Sequence, residues 1–329
     1  MSTDAPTTMA AVVHSRYGEA GSLIPARLPV PVPGKGEVLV RVRAVALNPA
    51  DVFFLRGRPA MVRLACGLTR PRNPVRGQDV AGVVEALGPG VEGVAVGEEV
   101  FGGARGGLAE LAVARADHVV PLPPGVPFDL AAASVMTGLA AIAALRRAGA
   151  QAGERILVVG ASGGIGTLVV QLAVAQGLEV TGVCSSANVE LVRSLGASQV
   201  VDYTTQDVLA CGGGFDVVLD NVGAHRMTDL ARLLRPGGRV LPNSGMPGPD
   251  GGALARVLKA SALGVLHRGR YRVFTSGPNP DDLAALRVHL ADGTLRPVIE
   301  GRYPLDAAAE AMARVATGHV AGKVVVTLP

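Results

Sequence analysis

The stretch Val159-Gly160-Ala161-Ser162-Gly163-Gly164-Ile165-Gly166-Thr167 decides the fold of this chain. It follows the apolar run Arg155–Val159, which is typical of a strand buried on both faces, and it opens a helix. Gly163 lets the backbone approach a diphosphate, and Gly166 allows the helix to pack closely on the strand. Ala161 stands where the strict fingerprint has its first glycine, but the strand, loop and helix context still predicts a dinucleotide site rather than an unliganded glycine turn. The residues assigned to the diphosphate are Ala161, Ser162, Gly163, Gly164, Ile165 and Gly166.

The pattern of apolar residues, glycines and prolines changes near residue 129, and this change predicts two domains. Over residues 129–270, apolar strands alternate with helices, which indicates βαβ units and a doubly wound parallel sheet. Residues 9–128 contain short apolar runs broken by glycine and proline, which is typical of a small β-barrel. Residues 271–329 are mixed and end in a strand, and residues 1–8 are expected to form a disordered tail. The expected fold class is therefore α/β.

Composition excludes several classes of protein. The chain has 329 residues, of which 49% are hydrophobic and 18% charged, so it can bury large cores. The net charge of +4 comes without a basic run interleaved with aromatics, so we expect no nucleic-acid partner. The longest apolar stretch, 156–183, is interrupted by glycine, glutamine and glutamate, so we expect no membrane partner. Three isolated cysteines and the absence of a signal peptide favour a cytoplasmic location.

The end of the second strand after the loop indicates which nicotinamide cofactor binds. An enzyme specific for NAD places a carboxylate there, on the ribose diol. This chain has Cys184 to Asn188 instead, and the small polar residues Ser185 and Ser186 leave room for a 2′-phosphate. Arg193 is the nearest basic residue and lies on the next helix. We therefore expect NADP(H).

Two other routes to a reducing enzyme lack their residues. A zinc dehydrogenase needs clustered cysteine, histidine and carboxylate ligands, but the three cysteines and six histidines are scattered, without C-x-x-C or H-E-x-x-H. Short-chain reductases use a tyrosine four residues before a lysine, and none of the four tyrosines has that spacing. We expect no catalytic or structural metal.

Four segments resemble those of a known family: Asn48-Pro49-Ala50-Asp51, Gly77-Gln78-Asp79-Val80-Ala81-Gly82-Val83-Val84, the loop 160–166, and Gly318-His319-Val320-Ala321-Gly322-Lys323-Val324-Val325. Together they make the chain resemble the medium-chain dehydrogenase/reductase superfamily, in its zinc-independent quinone oxidoreductase branch, over nearly its whole length. The resemblance implies a GroES-like β-barrel catalytic domain at 9–128 and 271–329, with a Rossmann domain at 129–270. Zinc-bearing relatives have a cysteine ligand where this chain has Asn48, and a His-Glu pair where it has Gln78-Asp79.

The resemblance implies three catalytic-site residues. Asn48 and Asp51 match residues that line the nicotinamide cleft, and Phe53 stands where relatives often have a tyrosine. Asn48-Pro49 also fits the start of a turn and Asp51 a helix cap, and these local roles are compatible with lining the cleft.

The resemblance also implies further cofactor contacts. Thr137 matches a threonine near the nicotinamide, Tyr203 flanks the adenosine, and Asn188 replaces a lysine that grips the 2′-phosphate. The remaining matches are to the nicotinamide ribose loop Asn221, Val222 and Gly223, to the turn Asn243 and Ser244, and to a closing-strand lysine of open role, Lys323.

The expected reaction is hydride transfer from NADPH to a small-molecule quinone or activated enone, and relatives of this branch imply a homodimer. Two alternatives stay open: an alcohol or enoyl-thioester oxidoreductase, and a nicotinamide-binding protein with little turnover. Six arginines between 56 and 76 predict either a loop that attracts anionic substrates or cofactor phosphate, or a solvated loop.

Overall fold

The computed structural model describes residues 7–329, which form two units. The first unit contains the described residues up to Met136 together with Pro278–Pro329. The second unit contains Thr137–Gly277, so it is inserted in the chain of the first.

Strands dominate the first unit, and strands alternate with helices in the second. The strands, numbered along the chain, are β1 (Thr8–Val13), β2 (Ile24–Pro29), β3 (Glu37–Leu47), β4 (Asp79–Leu87), β5 (Glu99–Arg105), β6 (Leu111–Pro121), β7 (Arg155–Val159), β8 (Glu179–Cys184), β9 (Gln199–Asp202), β10 (Phe215–Asp220), β11 (Leu234–Pro242), β12 (Ile299–Pro304) and β13 (Lys323–Thr327). The α-helices are α1 (Pro49–Arg56), α2 (Ala60–Cys66), α3 (Phe128–Ala148), α4 (Gly164–Ala175), α5 (Val189–Ser194), α6 (Met227–Leu230), α7 (Ala253–Leu266), α8 (Pro280–Ala291) and α9 (Ala308–Ala316).

The chain has two boundaries between these units. The first lies inside α3, at whose beginning the sequence analysis divided the domains. The second lies between α7 and α8, in the same connecting segment as the expected division at residue 270.

The first unit is built on a closed, mainly antiparallel sheet. Its strand order is β12-β13-β3-β4-β5-β6, and β3 also pairs with β6, which closes the barrel. Along β3, the buried Val40 and Val42 alternate with the more exposed Arg41 and Arg43, as expected for a strand with one face in the core. Helix α9 packs its apolar face against this core. The predicted β-barrel is confirmed.

The second unit is a parallel sheet with the strand order β11-β10-β7-β8-β9. Ile156, Leu157 and Val158 of β7 are fully buried, in agreement with a strand covered on both faces. From β7 the chain continues to β8 and β9 on one side and then returns to β10 and β11 on the other, so the strand order reverses between β7 and β10. In such sheets, ligands bind at the carboxyl ends of the strands beside this switch point.

One helix of the described residues is long and apolar enough to cross a membrane by length and composition. It is α3, and 72% of its apolar window is buried inside the protein. This burial is what a core helix of a folded domain shows.

The predicted disordered tail needs one correction. Residues 1–6 lie outside the described residues. Thr8 opens β1 and pairs with Pro29 of β2, so at Thr8 the prediction of disorder is wrong. The antiparallel pairing of β1 with β2 gives this residue an ordered backbone position.

Candidate active site

The loop between β7 and α4 uses some of its own N–H groups to hold its shape. Gly160 leaves β7 with φ +78°, a conformation that favours glycine. The N–H of Ala161 donates to the carbonyl of Val183 at 2.9 Å, and that of Gly163 donates to Gly160 at 3.2 Å. These two N–H groups are therefore engaged within the protein, which differs from the expectation that they are free for a diphosphate.

Four other N–H groups of the loop face no protein acceptor among residues 7–329: Ser162, Gly164, Ile165 and Gly166. A helix leaves the N–H groups of its first turn unpaired, and its N-terminus carries a partial positive charge. A Cβ on Gly166 would lie 2.0 Å from the carbonyl oxygen of Gly160, so only glycine allows the helix to start this close to the strand. The loop fits a bound diphosphate.

The residues after β8 lie beside this loop. The Asn188 Nδ2 is 3.3 Å from the Ser162 Oγ and 3.3 Å from the Ser185 Oγ. Ser162 belongs to the loop between β7 and α4, named the phosphate loop for the diphosphate expected there. The Asn188 amide therefore joins the phosphate loop to the segment expected to hold a ribose 2′-phosphate. The structure thus brings Ser162, Ser185 and Asn188 together.

A carboxylate that the sequence analysis missed lies at the same edge of the sheet. Asp202 ends β9 opposite Cys184 and accepts a hydrogen bond of 2.5 Å from the Ser186 hydroxyl. Hydrogen bonds from Ser186 and Thr204 hold the pKa of Asp202 below its usual value, so it is ionised at neutral pH. Tyr203 follows it and is half exposed. The register of β8 with β9 was the information needed to find Asp202.

The loop after β10, residues 221–223, is held by hydrogen bonds from a second turn at residues 243–244. Asn243 donates from Nδ2 to the Asn221 Oδ1 at 2.8 Å, and the Ser244 hydroxyl donates to the Val222 carbonyl at 2.6 Å. Gly223 completes the loop with φ +80°. Since β7 and β10 are adjacent and parallel, this loop and the phosphate loop lie at the same end of the sheet. Asn243 and Ser244 therefore support the 221–223 loop, a role the sequence analysis did not foresee.

Thr137 occupies a place apart from these loops in the sequence. It lies in α3 at the start of the second unit, and it is nearly buried, with 4% of its surface exposed.

In the first unit, Asn48, Asp79 and Lys323 form a buried polar network. The Lys323 ammonium donates to the Asn48 Oδ1 at 2.6 Å and to the Leu47 carbonyl at 3.0 Å. The Asn48 Nδ2 donates to the Asp79 Oδ2 at 2.8 Å, and the Met136 N–H donates to the same oxygen at 3.2 Å. The structure places Lys323, expected among the cofactor contacts, against the predicted catalytic residue Asn48.

The surroundings shift the pKa values of both ionisable groups in this network. Burial raises the pKa of Asp79, and the neighbouring Lys323 charge and the Asn48 amide oppose that shift. Burial lowers the pKa of Lys323, which the Asp79 and Asp51 charges oppose. The Lys323 Nζ lies 3.8 Å from the Asp79 Oδ2, so each of these two charges offsets part of the cost of burying the other.

Asp51 has the local role that the sequence left open. Its Oδ2 accepts the Asn48 N–H at 2.9 Å, at the start of α1, and its Oδ1 accepts the Gly77 N–H at 3.1 Å. Burial raises its pKa to about 6, although both backbone N–H groups stabilise the charged form. Phe53 lies on the same helix and is half-buried. Asp51 thus ties the Asn48 segment to the residues that lead into β4.

The donor set at this network does not fit a zinc ion. Both polar atoms of the Asn48 side chain are engaged, one by an ammonium and one by a carboxylate. The Lys323 charge lies 2.6 Å from the amide oxygen, where it would repel a divalent cation. Gln78 and Asp79 supply an amide and a carboxylate in place of a His-Glu pair. Among the described residues, no cluster of histidine, cysteine and carboxylate groups has the arrangement of a metal site.

The six arginines between residues 56 and 76 fall into two groups, three with contacts described below and three that are exposed. Arg56 pairs with Glu19 at 2.7 Å, and the Arg63 guanidinium lies 4.8 Å from the centre of the Tyr17 ring. Arg76 is buried and donates to a nearby backbone carbonyl. These three stabilise the fold. The three exposed ones are Arg58, Arg70 and Arg72.

Two protein-family models match the chain. The alcohol dehydrogenase GroES-like domain matches residues 34–124, within the barrel of the first unit. The zinc-binding dehydrogenase model matches residues 195–326, which begin in the parallel-sheet unit and end in the closing strand. Together they confirm the expected GroES-like and Rossmann domains.

Known proteins align with the chain over nearly its whole length. A chloroplastic quinone oxidoreductase of Triphysaria versicolor is 33% identical, covering 97% of this chain and 98% of the relative. An Arabidopsis thaliana chloroplastic NADPH-dependent alkenal/one oxidoreductase is 32% identical, covering 98% of this chain and 80% of the relative.

A solved structure has the same fold. The quinone oxidoreductase from Coxiella burnetii superposes with a TM-score of 0.85 at 27% identity, covering 98% of this chain and 100% of that one. Sequence and fold thus agree with a GroES-like domain and a Rossmann domain. The chain belongs to the medium-chain dehydrogenase/reductase superfamily, in its quinone oxidoreductase-like branch, and is a nicotinamide-dependent oxidoreductase.

Proposed function

We propose that this protein reduces a quinone or an activated enone with NADPH, without a catalytic zinc. The network of Lys323, Asn48 and Asp79 carries this proposal, because it supplies hydrogen-bond donors and no metal ligand set. Acceptors whose developing charge spreads over a conjugated oxygen need only hydrogen bonds to stabilise it. The names of the two aligned chloroplastic relatives, a quinone oxidoreductase and an alkenal/one oxidoreductase, support the same substrate class.

The second unit would hold the cofactor. The free N–H groups of Ser162, Gly164, Ile165 and Gly166 suit a diphosphate, and the 221–223 loop lies at the same end of the sheet for the nicotinamide ribose. When bound, the reduced nicotinamide supplies the hydride.

NADPH over NADH is supported by the donors after β8 and opposed by one nearby charge. The Ser185 hydroxyl and the Asn188 amide can donate to a 2′-phosphate, and no carboxylate follows β8 to bind a ribose diol. Arg193 is paired with Glu190 at 2.6 Å, on α5. Asp202 repels a phosphate from its place beside Ser186, so we expect a modest preference for NADPH.

The first unit would supply the donor for the acceptor oxygen. Lys323 can only donate and the Asp79 carboxylate only accepts, so the Asn48 amide must turn its oxygen to Lys323 and its nitrogen to Asp79. The second hydrogen on the Asn48 Nδ2 is left to donate to a substrate oxygen. Solvent supplies the proton that completes the reduction of a quinone.

Steady-state NADPH consumption with 1,2- and 1,4-quinones, enones, aldehydes and enoyl thioesters tests the proposal. We expect turnover with quinones or enones that exceeds that with simple aldehydes, and no loss after treatment with 1,10-phenanthroline. Tight NADPH binding with negligible turnover across the panel would favour a binding protein instead. Loss of turnover to the chelator would contradict the zinc-free reaction.

We also propose a cytoplasmic homodimer. Helix α7 exposes apolar side chains that a second copy would cover, among them Leu258 at 62% and Val265 at 87% exposure. Segment 270–272 pairs with Val240 of β11, which extends the sheet at the same edge. The cysteines of the described residues are free thiols, which favours a reducing compartment.

A further inference from the structure

A buried arginine lies beneath the 221–223 loop. Arg256 of α7 is 2% exposed and is the largest fully buried side chain of the described residues. Its Nη1 lies 3.2 Å from the Asp220 Oδ2, and its Nη2 donates to the Gly223 carbonyl at 3.1 Å. Sequence reasoning did not single it out, since α7 reads as an apolar helix.

Asp220 grips the same loop from the end of β10. Its Oδ1 accepts the N–H of Val222 at 3.0 Å and that of Gly223 at 2.8 Å. Asp220 is 1% exposed, so its charge is balanced mainly by Arg256. The ion pair therefore fixes both the N–H and the carbonyl of Gly223.

The packing at this ion pair leaves no room for another loop shape. A Cβ on Gly223 would lie 2.3 Å from the Arg256 guanidinium, and one on Gly248 would lie 2.2 Å from the Gly223 carbonyl oxygen. On the other side, a Cβ on Gly160 would lie 2.7 Å from the Val222 side chain. The loop is thus clamped between the ion pair and the phosphate loop.

A buried ion pair is a poor source of stability, because removing two charges from water offsets most of their attraction. An apolar pair of similar volume would hold α7 against the sheet equally well. What only the ion pair supplies is a fixed direction for the backbone dipoles of the loop. That function belongs to a binding site rather than to a core.

We propose that Arg256 and Asp220 are positioning residues, which hold the 221–223 loop in the shape that receives the nicotinamide half of the cofactor without touching it. The inference rests on the proposed function, because it assumes a nicotinamide nucleotide at this end of the sheet. It goes beyond that function in separating the residues that shape one half of the cofactor site from those that shape the other.

Binding to the nicotinamide half and binding to the adenosine half of the cofactor site can be measured separately. NADPH reports both halves of the site, whereas 2′,5′-ADP reports only the adenosine half. Both dissociation constants are measured by isothermal titration calorimetry on the full chain, for the wild type, Arg256→Met, Arg256→Lys and Asp220→Asn. The melting temperature of each variant is recorded alongside.

We expect Arg256→Met to weaken NADPH binding about tenfold, because the loop loses its preset shape, and to leave 2′,5′-ADP within about twofold. Asp220→Asn should act in the same direction. Arg256→Lys keeps the charge but reaches only one of the two acceptors, so we expect a smaller loss, about threefold. Arg256→Lys also tests the inference if Arg256→Met does not fold.

Arg239→Met is the matched control. Arg239 is also buried in the same unit, and its guanidinium pairs with Glu154 at 2.6 Å, at the amino-terminal end of the sheet. We expect it to lower the melting temperature without changing the ratio of the two dissociation constants. The same ratio in Arg256→Lys and Asp220→Asn as in the wild type would overturn the inference alone. A wild type that binds neither ligand would overturn the proposed function as well.

Discussion

One side chain decides which way the Asn48 amide points. Lys323 is 275 residues away in the chain, yet its ammonium lies 2.6 Å from the Asn48 Oδ1. Because Lys323 has no acceptor, the amide cannot turn its nitrogen toward it. The donor that the proposed reaction needs is therefore set by a residue of the closing strand.

Replacing this residue tests its role. Lys323→Met leaves the Asp79 carboxylate buried without its cation, so we expect the free energy of unfolding to fall by about 3 kcal/mol. We also expect kcat to fall, since the amide is no longer held. Urea unfolding and steady-state kinetics check both. The control is Lys259→Met, since Lys259 pairs with Asp250 and is 40% exposed. A loss no larger than that of the control would contradict this role.

The buried carboxyl of Asp51 makes the stability of the protein depend on pH. Burial raises its pKa from 3.8 to about 6 in the folded protein. The protonated form is therefore favoured by folding. This contribution to the free energy of unfolding is full below pH 4 and is lost as the pH rises through 6. The loss amounts to about 3 kcal/mol at most.

The comparison with Asp51→Asn isolates this contribution, because asparagine does not titrate. We expect the stability of the wild type relative to this variant to decrease between pH 4 and pH 7, in urea unfolding curves taken at each pH. A flat difference across this range would show that Asp51 ionises normally.

At the scale of elements, the pairing of β8 with β9 adds a charge to the proposed cofactor site. Asp202 lies opposite Cys184 and beside Ser186, at the carboxyl ends of both strands. A carboxylate there opposes a 2′-phosphate, while the donors around Ser185 favour one. The proposed preference for NADPH depends on the balance of these two effects.

Removing the charge should shift this balance. We expect Asp202→Asn to tighten NADPH binding about threefold and to leave NADH binding unchanged, because only NADPH carries the 2′-phosphate. Fluorescence titration with both nucleotides measures this. Asp207→Asn is the control, since Asp207 lies five residues after Asp202 in the chain and its carboxylate accepts the Leu209 N–H. Equal tightening for both nucleotides would contradict the account.

The sequence was sufficient for elements with a local signal. The apolar run of β7 and the glycines after it predict the strand, the loop and the helix start, because each depends on neighbouring residues. The partners of Asn48 could not be predicted, since Asp79 and Lys323 meet it only through the pairing of β3 with β4 and β13. Arg256 and Asp202 were missed for the same reason: their roles depend on contacts between distant segments.

At the scale of the whole molecule, one surface of the second unit is unusually apolar. Val265 and Leu266 of α7 are 87% and 73% exposed, beside the sheet edge extended by segment 270–272. Contiguous exposed apolar surface is typical of an interface. A second copy of the chain is the proposed partner.

A charge on this surface should separate the copies. One chain has a mass of 33.3 kDa. By light scattering after gel filtration, we expect the wild type to have twice this mass and Val265→Lys to shift toward the mass of a single chain. Val32→Lys is the control, because Val32 of the first unit is also 87% exposed. A wild-type monomer, or a dimer unaffected by Val265→Lys, would contradict the proposed interface.

The central claim is that the N–H groups at the start of α4 hold the diphosphate of a nicotinamide nucleotide. A crystal structure of the protein grown with saturating NADPH tests it most directly. We expect diphosphate oxygens within hydrogen-bond distance of the N–H groups of Gly164, Ile165 and Gly166. Density for the nucleotide elsewhere, with this loop unliganded or filled by protein side chains, would contradict it.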